Sequence, residues 1–413
     1  MQLILPPMNN ESFSRREAVK LGLAGLAAVG ARVPSAVAAP AARTHSFLTP
    51  ADKFQDVSRG DPKPHTLTGE ALVKARLTPE TWRLEVTADT APTDRIKMVA
   101  KIDRPVTLDF AALEKLGKQH GVKFLKAMQC LNIATPLGQG LWEGVPLREV
   151  LRLCGQMSNV RRIYYWGFHN DDPKQLFQSS LSYSQVMETP PGELPVFLAY
   201  KLNDGPLPLL RGGPVRMVVP WAHGFKSIKW LQHIVLTNDY QANDTYAEKN
   251  NDPESHLKTA AYLDEPAPKS DAAQPVPIGG LAIVGWSGLQ RVEYWLRPDA
   301  GQAGDLAEDD PAWATAEWKS GELAEPPADW SSVLPAGVSS REILGFDRTT
   351  GRPLAWPLRY SMVSWSATLR GLAPGKYEVR ARAVDLNGYA QPEPRPMQKT
   401  GRNGIQMRRF EIA

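Results

Sequence analysis

Cysteine is scarce in this chain of 413 residues, which contains only Cys130 and Cys154. Neither C-x-x-C nor H-x-x-x-H spacing occurs, which argues against a zinc site. The sequence also lacks a G-x-G-x-x-G motif, a P-loop and a C-x-x-C-H motif, so it shows no signature of dinucleotide binding, phosphate-loop binding or attached haem. Its 48 lysines and arginines against 44 acidic residues form no basic stripe, and we expect no nucleic-acid partner.

Turn-forming residues are abundant instead. The 36 prolines and 32 glycines favour many turns and argue against a mainly helical protein. With 42% hydrophobic and 22% charged residues, the composition is that of an ordinary globular protein, and the length predicts two domains.

The N-terminus has the pattern of an export signal. Arg15 and Arg16 precede an apolar run over 21–31 that is too short to span a bilayer, and A-V-A follows at 36–38. This pattern predicts a twin-arginine signal peptide over 1–38 and therefore a periplasmic protein. An uncleaved amphipathic anchor is the alternative. We predict no integral membrane span in the mature chain.

Two domains joined by a linker are predicted after the signal. Residues 39–50 are rich in small residues and predict a first linker, and strands interleaved with short helices over 51–265 predict an α+β domain. Residues 266–277, rich in Pro, Ala, Asp and Lys, predict a second linker. Strict alternation at 376–382 and turn signals between short runs predict an all-β, immunoglobulin-like sandwich over 278–413.

The two cysteines have different surroundings. Cys130 ends an apolar approach and lies in a loop after a predicted strand, whereas Cys154 falls on the apolar side of a short helix that ends at Gly155. We interpret Cys154 as a core residue. Cys130 could equally be a small buried hydrophobe, and a Cys130–Cys154 disulfide is the main alternative to metal ligation in an exported protein.

Five short blocks give Cys130 a more specific context. They read K-A-M-Q-C-L-N at 126–132, G-L-W-E-G-V-P-L at 140–147, L-A-Y-K-L-N-D-G at 198–205, G-G-P-V-R at 212–216 and G-F-K-S-I-K-W at 224–230. In this order and spacing, the blocks resemble the sulfite oxidase family of molybdopterin enzymes. The resemblance extends from about residue 45 to the C-terminus.

The resemblance implies a molybdenum ion held by the Cys130 thiolate and by the dithiolene of one molybdopterin. A thiolate is a soft ligand that suits a metal changing its oxidation state. Glycines let backbone amides approach the pterin phosphate, and cations offset its charge. The residues implied to bind the cofactor are His65, His169, Gly213, Arg216, Gly224, Lys226 and Lys229. For the lysines and Arg216 the alternative is a solvated loop charge, and for the histidines a structural role.

Two further residues match catalytic positions by the same resemblance. Tyr200 corresponds to a tyrosine beside the metal-bound oxygen, where a phenol can help proton movement. Its alternative is a core tyrosine. Arg59 matches an arginine that reaches the active site and orients an anionic substrate, and its alternative is a solvated loop arginine.

The sequence also departs from the animal sulfite oxidases. Those enzymes carry two arginines shortly after the cysteine, where this chain has I-A-T-P at 133–136. Because an oxyanion pocket needs fixed cations, this weakens the case for sulfite, although Lys399 or Arg402 could supply a charge. No haem domain precedes the molybdenum domain, so we expect a separate electron carrier such as a cytochrome. The C-terminal segment resembles the family's dimerisation domain and implies a homodimer.

The sequence therefore predicts an exported molybdopterin oxidoreductase that transfers an oxygen atom to a small sulfur compound, sulfite-like or organic, in a two-electron reaction. A reductase of sulfoxides or similar oxides is the first alternative. A non-enzymatic exported binding scaffold is the second. The sequence does not fix the substrate, the direction of turnover or the electron partner.

Overall fold

Apolar alternation builds two β-sheets around one core in the N-terminal part of the chain. The computed structural model describes residues 45–131, 133–242, 245, 252–299, 301, 306–307, 310–391 and 404–413. The predicted signal peptide over 1–38, the start of the first predicted linker, Asn132, Lys399 and Arg402 lie outside the described residues. Within the described residues, no helix has the length and apolar character needed to cross a membrane.

Among its described residues, the N-terminal part contains twelve strands and four short α-helices. The strands are β1 (Arg83–Ala88), β2 (Lys101–Ile102), β3 (Val106–Asp109), β4 (Val122–Met128), β5 (Gly138–Pro146), β6 (Met157–Ser158), β7 (Arg162–Gly167), β8 (Gln178–Ser182), β9 (Phe197–Leu202), β10 (Gly205–Pro206), β11 (Arg216–Val218) and β12 (Leu231–Thr237). The helices are α1 (Gly69–Lys74), α2 (Phe110–His120), α3 (Leu147–Arg152) and α4 (Tyr183–Met187).

Ten of these strands form two five-stranded sheets, and β2 and β6 pair as a separate two-stranded sheet. The first has the order β3-β1-β12-β7-β8, with β1 and β12 parallel and the other neighbours antiparallel. The second has the order β10-β9-β5-β4, and β11 also pairs with β9. Apolar side chains of both sheets, such as Leu84, Ile163 and Leu198, meet in one buried core. Mixed sheets with short helices are confirmed for this part of the chain.

Side-chain caps fix the starts of two α-helices, α2 and α4. The Asp109 carboxylate accepts a hydrogen bond from Ala112 N at 2.8 Å and so pairs one of the free amides at the start of α2. Helix α4 begins with a capping box between Ser182 and Gln185. Cys154 lies just after α3 in the main core, as predicted.

In the C-terminal part, the described residues form nine strands and one short α-helix. They are β13 (Ala260–Ala261), β14 (Lys269–Ser270), β15 (Val276–Ile283), β16 (Arg291–Pro298), α5 (Ala312–Thr315), β17 (Lys319–Ser320), β18 (Glu322–Leu323), β19 (Met362–Leu369), β20 (Gly375–Val384) and β21 (Gln406–Ile412). They form one sheet ordered β13-β15-β19-β18 and another ordered β14-β21-β20-β16-β17. Both sheets contribute to one apolar core that includes Ile278, Trp365 and Val379.

These two sheets correct one predicted boundary. Strands β13 and β14 precede residue 278, yet they pair with β15 and β21. The segment 266–277 therefore contains strand pairing and is not a plain linker, because its backbone amides find partners in the C-terminal sheets. The immunoglobulin-like type of the sandwich stays a prediction.

Candidate active site

A cavity of about 110 Å³ opens beside Cys130. Residues from five separate stretches of the chain line it, so the fold and not local sequence assembles this site. The lining residues are Val57, Ser58, Arg59, Gly60, Pro64, Cys130, Leu137, Gly167, Phe168, His169, Gln175, Phe177, Arg216, Gly224, Phe225, Ser227, Ile228, Lys229 and Trp230.

The loop that carries Cys130 is held by backbone contacts at the end of β4. The Gln129 side-chain amide donates to Cys130 O at 3.1 Å and also to Ile133 O, while Gly224 N donates to Gln129 O at 2.7 Å. A Cβ on Gly224 would lie 3.2 Å from Gln129 O, so this position favours glycine. Both cysteines are free thiols, which removes the disulfide alternative, and Cys130 is partly exposed. The thiol is thus fixed at the wall of the cavity.

Buried cations form one part of the cavity wall. Arg216 donates to Ser227 O at 2.9 Å and to Arg211 O at 3.0 Å. Burial, followed by the charge of Arg211, lowers the pKa of Arg216 to about 9. The Lys229 ammonium donates to Ser58 Oγ at 2.6 Å and to Leu210 O at 2.9 Å. Its pKa is lowered to about 7, mainly by burial and then by Arg216. The wall therefore favours an anion.

Asp56 is the carboxylate that faces these cations. It lies 3.3 Å from Lys229 Nζ and 3.2 Å from Lys63 Nζ. Burial acts to raise its pKa, but hydrogen bonds from Ser58 and the charge of Lys229 outweigh burial and hold the pKa well below its usual range. Asp56 therefore stays ionised and offsets only part of the positive charge.

One predicted histidine lines the cavity, and the other packs against its wall. His169 lines the cavity, and the His65 ring stacks on Trp230 with centroids 6.4 Å apart. Nδ1 of each ring is buried and has no hydrogen-bond partner among the described residues. Burial, as the largest cause, lowers the pKa of His65. Buried polar atoms without partners are costly, so these nitrogens indicate that a hydrogen-bonding group belongs here.

Three predicted cofactor or catalytic residues lie elsewhere. Lys226 is buried, and its ammonium donates to Ser180 O at 2.9 Å, away from the cavity lining. Gly213 packs against backbone, since a Cβ there would come within 2.1 Å of Leu207 O. Its glycine is required by the chain turn and not by a ligand in the cavity.

Tyr200 is the third of these corrections. Its side chain packs in the main core, with its ring 6.3 Å from that of Phe110 and its hydroxyl against Gly117 of α2. Burial, then the charges of Glu143 and Glu114, raises the pKa of Tyr200 to about 12. Because side chains alternate along β9, Ala199 faces a different core and Tyr200 points to α2. The core alternative for Tyr200 fits the structure.

Arg211 was missed by the sequence reasoning. It is 3% exposed, and its guanidinium donates to Phe54 O at 2.9 Å while its Nε has no partner among the described residues. The signal available was its position directly before Gly212 and Gly213. Arg211, Arg216, Lys229 and the two histidines together match the needs of an anionic cofactor rich in hydrogen-bonding edges.

The chain is similar to known molybdopterin-binding proteins. Residues 71–245 match the family model described as oxidoreductase molybdopterin binding domain. The chain is 26% identical over 268 residues to the mitochondrial sulfite oxidase of Drosophila melanogaster, covering 63% of this chain and 42% of that protein. It is 31% identical over 209 residues to the sulfite oxidase of Gallus gallus, covering 43% and 44%. The chain thus spans less than half the length of these curated relatives.

A solved structure resembles nearly the whole chain. The sulfane dehydrogenase SoxCD from Paracoccus pantotrophus superposes with a TM-score of 0.55, covering 94% of this chain and 96% of that chain at 17% identity. At this identity the likeness concerns the fold alone.

Proposed function

We propose that this member of the sulfite oxidase family of molybdopterin-dependent oxidoreductases transfers an oxygen atom to a small sulfur compound and passes two electrons to a separate carrier protein. The observation that carries the proposal is the placement of Cys130 on a cavity with a cationic wall. Sulfur is supported as the reacting element because sulfite oxidases are relatives of the chain.

The residues present fit the molybdenum cofactor. Cys130 would supply the thiolate ligand, and Arg216, Lys229 and Arg211 would neutralise the anionic groups of the pterin. Nδ1 of His65 and His169 would find hydrogen-bond partners that the described residues do not provide. When bound, the cofactor supplies two-electron redox chemistry together with oxygen-atom transfer.

The protein's own contribution is binding, orientation and exclusion of water. Arg59 lies at the cavity with its guanidinium 4.6 Å from the ring centre of Phe177, which fixes a cation where an anionic substrate would enter. Fixed cations and the exclusion of water strengthen the electrostatic attraction between the site and a reacting anion.

One preparation tests the function and its direction. Purified protein should contain molybdenum, and with ferricyanide as electron acceptor it should oxidise sulfite or an organic sulfur compound. Protein free of molybdenum would favour the scaffold alternative. Reduction of a sulfoxide by the metal-loaded protein, with no oxidation of any sulfur compound, would reverse the proposed direction.

Export to the periplasm by the twin-arginine route is part of the proposal. It is supported by Arg15-Arg16 and the short apolar run behind them. Replacing both arginines with lysine should leave the precursor in the cytoplasm with its cofactor inserted. Normal export of that variant would contradict the twin-arginine assignment.

A homodimer formed through the C-terminal sheets is also proposed, since two-fold dimers are the commonest closed assembly. Analytical ultracentrifugation of the mature chain should give twice the monomer mass. A monomer at micromolar concentration would count against it.

A further inference from the structure

The cavity has an apolar part next to Cys130. Leu131, Phe225 and Phe177 form one small apolar cluster, in which Leu131 is 2% and Phe225 9% exposed. Phe177 and Phe225 line the cavity together with Cys130, and Ile228 extends this apolar surface. An aromatic surface therefore lies beside the thiol, and the Arg59 guanidinium sits over the Phe177 ring.

This part differs from the cationic part in the kind of group it can hold. Arg216 and Lys229 suit the anionic groups of the cofactor. The loop after the cysteine adds no charge in its described portion, since Ile133, Ala134 and Thr135 follow. With Arg216 and Lys229 engaged by the cofactor, a substrate beside Cys130 would meet the aromatic rings of the wall and the guanidinium of Arg59.

A small inorganic oxyanion matches that surface poorly. Sulfite would lose its water shell against rings that offer no hydrogen bonds in return. An organic anion would instead remove apolar surface of its own from water and could pack edge-on against Phe177 and Phe225. Its anionic end would lie within reach of Arg59.

We infer that the substrate is an organic sulfinate, an aryl or alkyl group carried on a singly charged sulfur–oxygen head, with Phe177 and Phe225 as the residues that select it. This inference rests on the proposed function and names its substrate class. The reaction balances as R–SO₂⁻ + H₂O → R–SO₃⁻ + 2 H⁺ + 2 e⁻. One S–O bond forms with oxygen from water, sulfur is oxidised by two electrons, and a one-electron carrier of the cytochrome class accepts them in turn.

Steady-state kinetics of the molybdenum-loaded protein test this with benzenesulfinate and sulfite, with ferricyanide as acceptor. We expect kcat/KM for benzenesulfinate to exceed that for sulfite by at least about tenfold, the gain expected from one well-packed ring. Phe225→Ala and Phe177→Leu should each lower the benzenesulfinate-to-sulfite ratio by about three- to tenfold, mostly through KM. Arg59→Gln should weaken both substrates. Tyr389→Ala, an aromatic change at an exposed position outside the cavity lining, should leave the ratio unchanged.

A binding measurement separates recognition from turnover. Calorimetry with the product benzenesulfonate should show tighter binding than with sulfate to the resting enzyme, and Phe225→Ala should remove the difference. Oxidation of sulfite in preference to benzenesulfinate, with equal ratios in all variants, would overturn the inference and leave the proposed function intact. Metal-loaded protein that oxidises neither compound would overturn both.

Discussion

The molecule buries cations in two different ways. On the sheet that contains β16 and β20, arginines meet carboxylates: Arg382 lies 2.7 Å from Glu293, and Arg380 lies 3.1 Å from Glu378. Their guanidiniums also stack on tryptophans, with Arg382 4.0 Å from the ring centre of Trp318. This region supplies its own countercharge and is complete without a ligand.

Around the cavity, buried cations rest mainly on backbone carbonyls. Arg216 donates to Ser227 O and Arg211 O, and Lys229 to Leu210 O. A carbonyl dipole offsets less of the cost of burying a charge than a carboxylate does. This difference in countercharge indicates that an external anion balances the positive charge around the cavity. We therefore consider buried cations that rest mainly on carbonyls, with Asp56 as a partial countercharge of Lys229, a better guide to this site than cations as such.

The largest expected effect concerns the Cys130 thiol, because without it the protein lacks the ligand that would hold the molybdenum of the cofactor. Cys130→Ser should reduce turnover by more than about a thousandfold, since an alcohol is a poor soft ligand. Much of the pterin should remain bound through the cationic wall. Activity and metal content measured side by side check this.

Cys154→Ser is the matched control. Cys154 lies in the main core, where burial raises the pKa of its thiol, so it should not react or bind metal. Full activity is expected for this variant. Loss of activity in Cys154→Ser with activity kept in Cys130→Ser would reverse the assigned roles.

The next two predictions compare an arginine at the cavity with an arginine that is paired with a carboxylate in the C-terminal sheets. Arg216→Gln should lower retention of the cofactor by about a hundredfold, because a charge-assisted contact to an anion is worth roughly 2–3 kcal/mol. Molybdenum and pterin content after gel filtration give the measurement. Melting temperature shows whether the variant is folded.

Arg382→Gln provides the contrast in the C-terminal sheets. Glu293 keeps Arg291 as a partner at 2.7 Å, so we expect a loss of about 1 kcal/mol in the free energy of unfolding. Cofactor content should stay the same. Equal loss of cofactor in both variants would remove the distinction between the regions.

The sequence predicts the positions of some site residues better than those of others. The order of the glycine and basic blocks placed Arg216, Gly224 and Lys229 near Cys130, and all four line the cavity. Arg216 begins strand β11, and Gly224 begins the short 3₁₀ turn over Gly224–Lys226.

Lys226 and Tyr200 show where motif matching stops. Lys226 ends a short 3₁₀ turn over Gly224–Lys226, and the turn directs its ammonium to Ser180 O. Tyr200 is directed away by the alternation of β9. The aromatic wall was not foreseen either, because Phe177 and Phe225 come from distant stretches and meet only in three dimensions.

The last comparison uses two lysines of the same strand. Lys126 is fully buried and donates to Pro220 O at 2.7 Å, Ala127 O at 3.2 Å and Ala222 O at 3.3 Å. Lys123 is instead ion-paired, 3.0 Å from Glu342 and 3.5 Å from Glu143. Burial, then the charge of Arg216, lowers the pKa of Lys126 from 10.5 to about 7. For Lys123, burial acts to lower the pKa but the two carboxylates outweigh it and raise the pKa.

These opposite shifts predict opposite dependences of stability on pH. Between about pH 7 and 10.5 the unfolded chain holds a proton on Lys126 that the folded chain has released, so the free energy of unfolding should rise with pH. Lys126→Met should remove on the order of 2 kcal/mol of that rise. Lys123 contributes stability that is present below its unfolded pKa and lost as pH rises through its higher folded pKa, so Lys123→Met should not flatten the rise over pH 7–10.

Urea unfolding of the wild type and both variants at pH 7.5, 8.5 and 9.5 gives the slopes. Parallel curves for Lys126→Met and the wild type would mean that burial does not lower the pKa of Lys126. The contrast between cations bound to carbonyls and cations paired with carboxylates would then fail at this fully buried lysine.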